Sequence, residues 1–248
     1  MRRENAYLER VGLLVGEDVL ARLGEVRVLL FGAGGVGSWS AEGLVRSGVR
    51  HLTLVDADVI SESNVGRQLM ATPRTVGQVK VEALRDRLLE VAPDAEITVL
   101  QKIFSAETAD EFAMEGYDYI LDAIDSLKDK GELILRATRT PAKFFCSMGA
   151  ACKVDPTQVK VGEFWNVRGC PLGAALRKKF KQNHTWPGRK FRCVYDEEVL
   201  PNRGGEGKAE TDLFNKAQIN GALVHITAMF GMMLAGLVIE DVYHQIVG

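Results

Sequence analysis

The first 150 residues of this chain alternate between short apolar runs and longer amphipathic stretches. Apolar runs bounded by glycine or polar residues predict buried strands, and apolar residues spaced three or four apart predict helices. The predicted strands are 26–31, 52–55, 97–103, 117–123 and 144–148. The predicted helices are 16–23, 37–47, 76–91, 107–114 and 127–139. This alternation predicts an α/β fold, in which helices cover both faces of a Rossmann-like, mostly parallel sheet.

Two regions depart from this pattern. Residues 57–74 hold many polar groups without a clear period, which is typical of a functional loop. After residue 149 the alternation weakens, and the pattern predicts a hairpin around Asp155-Pro156-Thr157 and an amphipathic helix at 172–181. Proline and glycine predict a loop at 182–210, and a long helix follows at 220–246.

Residues 222–239 form a long apolar segment interrupted only by His225 and Thr227. These 18 residues reach the lower limit for a membrane-spanning helix. Both polar residues lie near one end, however, and no positive cluster flanks the segment. The pattern therefore favours a helix buried in the core or in a dimer interface over a membrane span.

The composition is that of an ordinary soluble protein, with 46% hydrophobic and 26% charged residues among 248. Four cysteines lie far apart, at Cys146, Cys152, Cys170 and Cys193. They contain no C-x-x-C pair, so neither a zinc ribbon nor a thioredoxin-like motif is indicated. Scattered cysteines suggest reduced thiols and a cytoplasmic location. The N-terminal residues carry no apolar stretch, so we expect no signal peptide.

A glycine-rich loop follows the first predicted strand. Its glycines are Gly32, Gly34, Gly35 and Gly37, and they let the backbone and the N-terminus of the next helix approach a phosphate. Asp56 lies 19 residues after Gly37, the usual distance for a carboxylate that binds ribose hydroxyls. To this point, NAD and ATP fit equally well.

Three later residues favour ATP. Cleavage between the α- and β-phosphates needs cations beside the departing pyrophosphate, and Arg67 and Lys80 can supply them. Asp125 follows a predicted strand and can bind a Mg²⁺ that bridges the phosphates. The alternatives are that Lys80 faces solvent at a helix start and that Asp125 caps the next helix.

With these residues, the chain resembles the E1-like adenylating superfamily over roughly residues 7–150. The resemblance is carried by Gly32–Gly37, Asp56-Ala57-Asp58, the run from Ser63 to Gln68, the run from Thr75 to Lys80, and Asp122-Ala123-Ile124-Asp125-Ser126. It implies that the glycine loop and Asp56 bind ATP, that Asn64, Arg67, Gln68 and Lys80 lie around it, and that Asp125 binds magnesium. It also implies that Arg10 reaches into the ATP site of a partner subunit, which makes the enzyme a homodimer.

The stretch from 164 to 195 contains no acidic residue. Its eight cations are Arg168, Arg177, Lys178, Lys179, Lys181, Arg189, Lys190 and Arg192, and its interleaved aromatics are Trp165, Phe180, Trp186 and Phe191. Basic residues mixed with aromatics suit a phosphate backbone with stacked bases. A solvated charged face is the alternative. The rest of the chain is acidic, with 31 minus 8, or 23, basic residues against 33 acidic ones, and this favours nucleic acid.

The segments 149–157 and 171–177 resemble one branch of the superfamily, the tRNA threonylcarbamoyladenosine dehydratases. This resemblance implies that MgATP adenylates the threonyl carboxylate of the modified adenosine (t6A) in tRNA, and that the ureido group then closes a ring. It also implies that the basic residues from Arg177 to Arg192 hold the tRNA. We expect one domain over 1–248, with a nucleotide-binding core at about 24–150 and a tRNA and dimer region at about 151–248.

Three other functions are considered. The first is an adenylyltransferase that activates the C-terminus of a ubiquitin-like sulfur carrier; a cysteine desulfurase or sulfur acceptor is also left open as a partner. The second is a non-catalytic module that senses nucleotide or binds tRNA. The third, an NAD oxidoreductase, is disfavoured because it needs neither Arg67 nor Lys80.

Overall fold

The computed structural model describes residues 6–204 and 220–248. Within them one seven-stranded sheet has the order β3-β2-β1-β4-β5-β7-β6. The strands are β1 (Arg27–Phe31), β2 (His51–Val55), β3 (Glu96–Leu100), β4 (Tyr119–Asp122), β5 (Lys143–Ser147), β6 (Lys160–Glu163) and β7 (Arg192–Tyr195). All neighbouring strands are parallel except β6, which runs antiparallel to β7 at the sheet edge.

Seven α-helices accompany the sheet in the described part of the chain. They are α1 (Glu9–Val15), α2 (Glu17–Glu25), α3 (Gly37–Arg46), α4 (Lys80–Val91), α5 (Leu127–Ala137), α6 (Pro171–Gln182) and α7 (Val224–Val247). Short 3-10 helices occupy several of the connections.

The sheet separates two hydrophobic cores. Alternate residues of a strand point to opposite faces, so Val28 of β1 packs with residues of α3, α4 and α7, and Leu29 with residues of α5 and α6. Helices therefore cover both faces, and the predicted α/β fold with a mostly parallel sheet is confirmed.

Three predicted elements differ from the observed ones, the first only in where it begins. The helix predicted at 76–91 begins only at Lys80, because Gly77 has φ +88° and Val79 forms a bridge with Val59. The helix predicted at 107–114 is a 3-10 turn, Ala109–Phe112, that ends where Ala113 adopts φ 43°.

The third is the hairpin predicted around residues 155–157. Asp155 instead caps a 3-10 helix by accepting the Thr157 N–H, and β6 pairs with the more distant β7 rather than with the residues just before the turn. β7 lies inside the segment predicted as a loop, because its four residues stand among many turn formers and are too few to show a strand period. The sequence pattern also did not predict α1.

The apolar α7 packs along α3. A Cβ on Gly231 would lie 2.4 Å from the Val36 carbonyl oxygen, so the two helices touch backbone to backbone. The same helix also buries three large apolar side chains completely, namely Phe230, Leu234 and Val238. By length and composition α7 is long enough to cross a membrane, yet half of its most apolar stretch is buried inside the protein. This packing favours the core-helix interpretation.

Candidate nucleotide site at the carboxyl edge of the sheet

Three predicted site residues follow three adjacent strands. Phe31, Val55 and Asp122 end β1, β2 and β4 and are in register with one another. Gly32 and Asp56 come directly after Phe31 and Val55, and Asp125 comes three residues after Asp122, at the same edge of the sheet. The helices that follow β1 and β4 leave to opposite faces, and such a switch point opens a crevice for a ligand.

The four glycines of the loop after β1 have different surroundings. Gly32 has φ +90°, and a Cβ there would lie 2.8 Å from the Ala123 carbonyl oxygen; a Cβ on Gly37 would overlap the Gly32 carbonyl. These two glycines allow the loop to lie against β4. Gly34, in contrast, borders open space, since a Cβ would meet only the Gln68 Nε2 atom at 3.9 Å.

Gly35 packs on two other parts of the chain. Its Cβ would come within 3.2 Å of Thr227 on α7 and 3.3 Å of the Arg67 side chain. Together the glycines bring a bare backbone and the N-terminus of α3 to the crevice. Backbone N–H groups in this arrangement attract phosphate.

Asp56 holds the glycine loop in place. Its Oδ2 accepts the Ala33 N–H at 2.8 Å and its Oδ1 accepts the Asp58 N–H at 2.9 Å. Burial raises the pKa of Asp56, and the Lys80 charge and both hydrogen bonds oppose that rise. A carboxylate has about four lone-pair sites, so acceptor capacity is left for ribose hydroxyls.

Lys80 is buried and paired, not solvent-facing. It is the first residue of α4, and its Nζ lies 2.6 Å from Asp58 Oδ2. The side chain of Lys80 is 8% exposed and that of Asp58 is 32% exposed. The Lys80 N–H also donates to the Asp58 carbonyl. Asp58 stands in the resemblance motif, but sequence reasoning gave it no role.

The loop between β2 and α4 brings Arg67 beside Asp125. Burial lowers the pKa of the Arg67 guanidinium, and the charge of the Asp125 carboxylate opposes this effect. Arg67 Nη1 donates to the Ser63 carbonyl at 2.9 Å, and Trp39 Nε1 donates to the Arg67 carbonyl at 3.2 Å. The Trp39 contact ties this loop to α3 and was not foreseen from the sequence.

Asn64 and Gln68 are both buried in the same loop. Asn64 Oδ1 accepts the Ser61 N–H at 3.1 Å and so fixes the turn that carries Arg67. Gln68 Oε1 has no hydrogen-bond partner among the described residues. A buried amide oxygen with no partner needs a donor, and the Nε2 atom of the same amide borders the open space at Gly34.

Beneath Asp125 lies a fully buried ion pair that the sequence analysis missed. Lys130 Nζ lies 2.8 Å from Asp122 Oδ1 and 2.7 Å from the Ile124 carbonyl oxygen, and Ile124 N–H donates to Asp122 at 3.0 Å. Cys146 Sγ donates to the second carboxylate oxygen. These bonds fix the turn from Asp122 to Asp125.

The pKa values of both residues in this pair are shifted. Burial raises the pKa of Asp122, with Lys130 opposing the rise. Burial would lower the pKa of Lys130, but the neighbouring Asp122 outweighs it and leaves that pKa raised. Lys130 therefore stays protonated in the first turn of α5. The spacing Asp122 to Lys130 was visible in the sequence, but nothing there showed that both residues are buried.

The predicted tRNA-binding cations have different surroundings. Lys178, Lys181 and Lys190 are exposed. The others have protein partners: Arg177 donates to the Phe164 carbonyl, Lys179 to the Lys128 carbonyl, Arg189 to the Thr140 and Ala142 carbonyls, and Arg192 pairs with Glu240. Burial lowers the pKa of Arg189. Phe180 and Phe191 lie in the core.

Arg10 is exposed on α1, at the opposite edge of the sheet from the glycine loop. The preceding Tyr7 ring lies 5.5 Å from the guanidinium of Arg50, which directly precedes β2. Arg50 is separated from Asp56 by the length of β2, about 16 Å, so α1 begins near the amino edge of the sheet. Leu13 and Leu14 on the same helix are 82% and 84% exposed.

A match to known proteins covers nearly the whole chain. The ThiF family model matches residues 8–245. The chain is 34% identical over 250 residues to the tRNA threonylcarbamoyladenosine dehydratase of Haemophilus influenzae, covering 97% of this chain and 95% of that protein.

Solved structures agree with these relatives. Crystal structures of the Escherichia coli tRNA N6-threonylcarbamoyladenosine dehydratase in complex with ATP and with AMP superpose with TM-scores of 0.84 and 0.83. Each is 28% identical and covers 96% of this chain and 94% of the solved one. The E. coli molybdopterin-synthase adenylyltransferase is 35% identical, but over only 162 residues, which is 65% of this chain.

Proposed function

Because this chain belongs to the ThiF family, we propose that it is an ATP-dependent tRNA threonylcarbamoyladenosine dehydratase. The observation that carries the proposal is the meeting of the bare glycine loop, Arg67, Lys80 and Asp125 at one edge of the sheet. Relatives of that name align over almost the full length of both chains, whereas the adenylyltransferase of the sulfur-carrier type aligns over about two thirds.

The reaction has two steps. The threonyl carboxylate of t6A attacks the α-phosphorus of ATP, forming an acyl adenylate and releasing pyrophosphate. The ureido group of the same residue then attacks the activated carbonyl, closes a ring and expels AMP. The oxygen lost from the carboxylate leaves in AMP, so the tRNA loses one water overall. The nucleophile belongs to the substrate, which is why no cysteine is required.

The residues of the crevice have different roles in binding and catalysis. The glycine loop and the N-terminus of α3 hold phosphate oxygens, and Asp56 accepts from the ribose. Arg67 and Lys80 stabilise the charge that develops on the α-phosphorus and the departing pyrophosphate. Gln68 offers its partnerless amide oxygen to the nucleotide, and Asn64 positions the turn that carries Arg67.

Asp125 is the proposed magnesium ligand. No cluster of three His, Cys, Asp or Glu side chains suited to a metal occurs among the described residues. One carboxylate fits Mg²⁺ nonetheless, since this ion commonly binds through one or two carboxylates, water and substrate phosphates. When bound, Mg²⁺ would neutralise phosphate charge; Asp122 is already committed to Lys130.

We propose a homodimer with composite sites. Arg10 lies too far from its own glycine loop to act there, and the exposed Leu13 and Leu14 give α1 an apolar surface that a second copy would cover. Arg10 would then complete the partner's site. The four cysteines are free, in keeping with a cytoplasmic enzyme. A cysteine desulfurase or sulfur acceptor is left open as a partner, since ring closure itself transfers no sulfur.

A comparison of substrates tests the function. Purified protein, ATP and either t6A-containing tRNA or a small carrier protein ending in Gly-Gly are incubated, and AMP is measured. The proposal predicts AMP release with the modified tRNA, none with unmodified transcript and none with the carrier. AMP release that depends on the carrier protein would establish the sulfur-carrier alternative, and ATP binding without turnover would indicate a non-catalytic module.

A further inference from the structure

Helix α6 connects the two edges of the sheet. At its start, a Cβ on Gly173 would lie 3.3 Å from the sulfur of Met148, which directly follows the carboxyl end of β5. At its end, the loop 183–191 leads into Arg192, the first residue of β7. Twelve helical residues span about 18 Å. A ligand lying along α6 would therefore touch the carboxyl edge at one end and the amino edge at the other.

An aromatic surface stands at the amino-edge end of α6. Trp186 is 49% exposed, and its ring centroid lies 5.6 Å from that of Trp165 at an interplanar angle of 45°. Trp165 in turn packs on the buried Phe164. Trp186 therefore presents a large exposed ring that is supported from behind by aromatic packing.

The loop that carries Trp186 is held at several points. Gly188 N–H donates to Thr138 Oγ1 at 2.9 Å, and Arg139 Nη2 donates to the Trp186 carbonyl at 3.2 Å. Arg189 donates to the carbonyls of Thr140 and Ala142. Because this backbone is fixed, little ordering entropy remains to be lost when a ligand stacks on the ring.

Unpaired positive charge lies along α6 and in the loop that carries Trp186. Three exposed cations on α6 and in the loop that carries Trp186 make no ion pair with any described residue: Lys178, Lys181 and Lys190. Glu163, two residues before Trp165, is half-buried and accepts the Trp165 N–H. An exposed aromatic ring amid unpaired cations suits a nucleobase flanked by phosphates better than a protein surface.

We propose that Trp186, backed by Trp165, stacks on an unpaired base of the RNA substrate and holds the RNA at a second point, remote from the nucleotide crevice. The RNA lies along α6, with its backbone near Lys178 and Lys181. This proposal rests on RNA being the substrate, as argued above. It assigns Trp186 a binding role with no part in the chemical steps.

The test compares Trp186→Ala with the aromatic control Trp186→Phe. Trp186→Ala should weaken tRNA binding roughly tenfold, by the usual effect of one lost stacking contact. Trp186→Phe should stay within about threefold of wild type, and both variants should keep the ATP affinity. AMP formation at saturating tRNA should be unchanged. Arg85→Ala removes a cation from α4, on the other face of the sheet, and should not alter tRNA affinity.

Fluorescence gives an independent measurement on the folded protein. The tRNA should quench part of the tryptophan emission in wild type, and Trp186→Phe should abolish that part. Unchanged tRNA affinity in Trp186→Ala, or quenching that persists in Trp186→Phe, would overturn the stacking proposal. So would a change of oligomeric state in Trp186→Ala, which would make this surface a protein interface. Failure of the proposed function is distinct: wild type would then release no AMP with modified tRNA.

Discussion

The Lys80 ammonium lies 2.6 Å from the Asp58 carboxylate, at the point where α4 begins and the nucleotide crevice opens. Lys80 is almost fully buried, whereas Asp58 is about one-third exposed. The pair therefore holds a cation at the crevice in a neutralised, fixed position. We infer that phosphate oxygens take over from Asp58 when ATP binds.

The first prediction separates the two members of this pair. Lys80→Ala removes the cation and should lower single-turnover AMP formation by about 10²- to 10³-fold, the usual loss for one charge-stabilising donor. Asp58→Asn keeps the cation and should retain at least about a tenth of the rate. Equal losses in both variants would show that Asp58 acts in the chemistry itself. Circular dichroism melting curves check that both variants are folded.

The second prediction concerns the buried pair Asp122–Lys130. Lys130→Met leaves a buried carboxylate without its cation and should lower the free energy of unfolding by about 3–5 kcal/mol in urea titrations. The double variant Asp122→Asn with Lys130→Met removes both charges and should recover a large part of this loss. If Lys130→Met lowered the free energy of unfolding by less than about 1 kcal/mol, this would contradict a stabilising role for the pair.

The third prediction is a pH dependence at Asp56. Because burial raises its folded pKa above 3.8, Asp56 takes up a proton at a higher pH than an ordinary aspartate. Folding then favours the protonated form, so its contribution to stability is greatest below the unfolded pKa and falls as pH rises through the folded one.

Nucleotide binding should show the opposite trend at Asp56. The ionised carboxylate accepts from the ribose, so ATP affinity should decline as the pH falls toward the raised pKa. Isothermal titration over the acid range measures the decline. In Asp56→Asn the ATP affinity should be lower at every pH, and it should not decline further as the pH falls toward the pKa of Asp56. An identical pH profile in both proteins would remove Asp56 from the site.

The fourth prediction tests the composite dimer. Arg10→Ala and Lys80→Ala should each be inactive alone. If Arg10 acts in the partner's site, a mixed dimer has one site with both defects and one intact site. Mixing and re-equilibrating the two variants should then restore about a quarter of the wild-type activity. Restoration should fail when Leu13→Asp is added to both chains, and no restoration at all would place Arg10 elsewhere.

Much of this site could be predicted because its signals are local. The glycine loop, Asp56 and Asp125 each follow an apolar run, and parallel strands bring their carboxyl ends together. The pairing of Lys80 with Asp58 could not be predicted, because it depends on where α4 begins. Spacing had suggested a start at 76, while Gly77 and the Val59–Val79 bridge move that start to Lys80.

Long-range contacts account for the remaining misses. The strand β7 has only four residues and gains its place by pairing with β5 and β6, which a sequence pattern does not contain. Burial of Lys130 likewise depends on strands that arrive later in the chain. The basic stretch was visible, but only its packing shows that Arg189 holds the backbone while Trp186 is exposed.

The path of one oxygen atom tests the central claim most directly. tRNA whose t6A carries ¹⁸O in the threonyl carboxylate is incubated with the enzyme and ATP, and AMP, pyrophosphate and the nucleoside are analysed by mass spectrometry. Adenylation followed by ring closure predicts one ¹⁸O atom in each AMP, none in pyrophosphate, and a nucleoside lighter by one labelled water. Unlabelled AMP, or label in pyrophosphate or phosphate, would contradict the account.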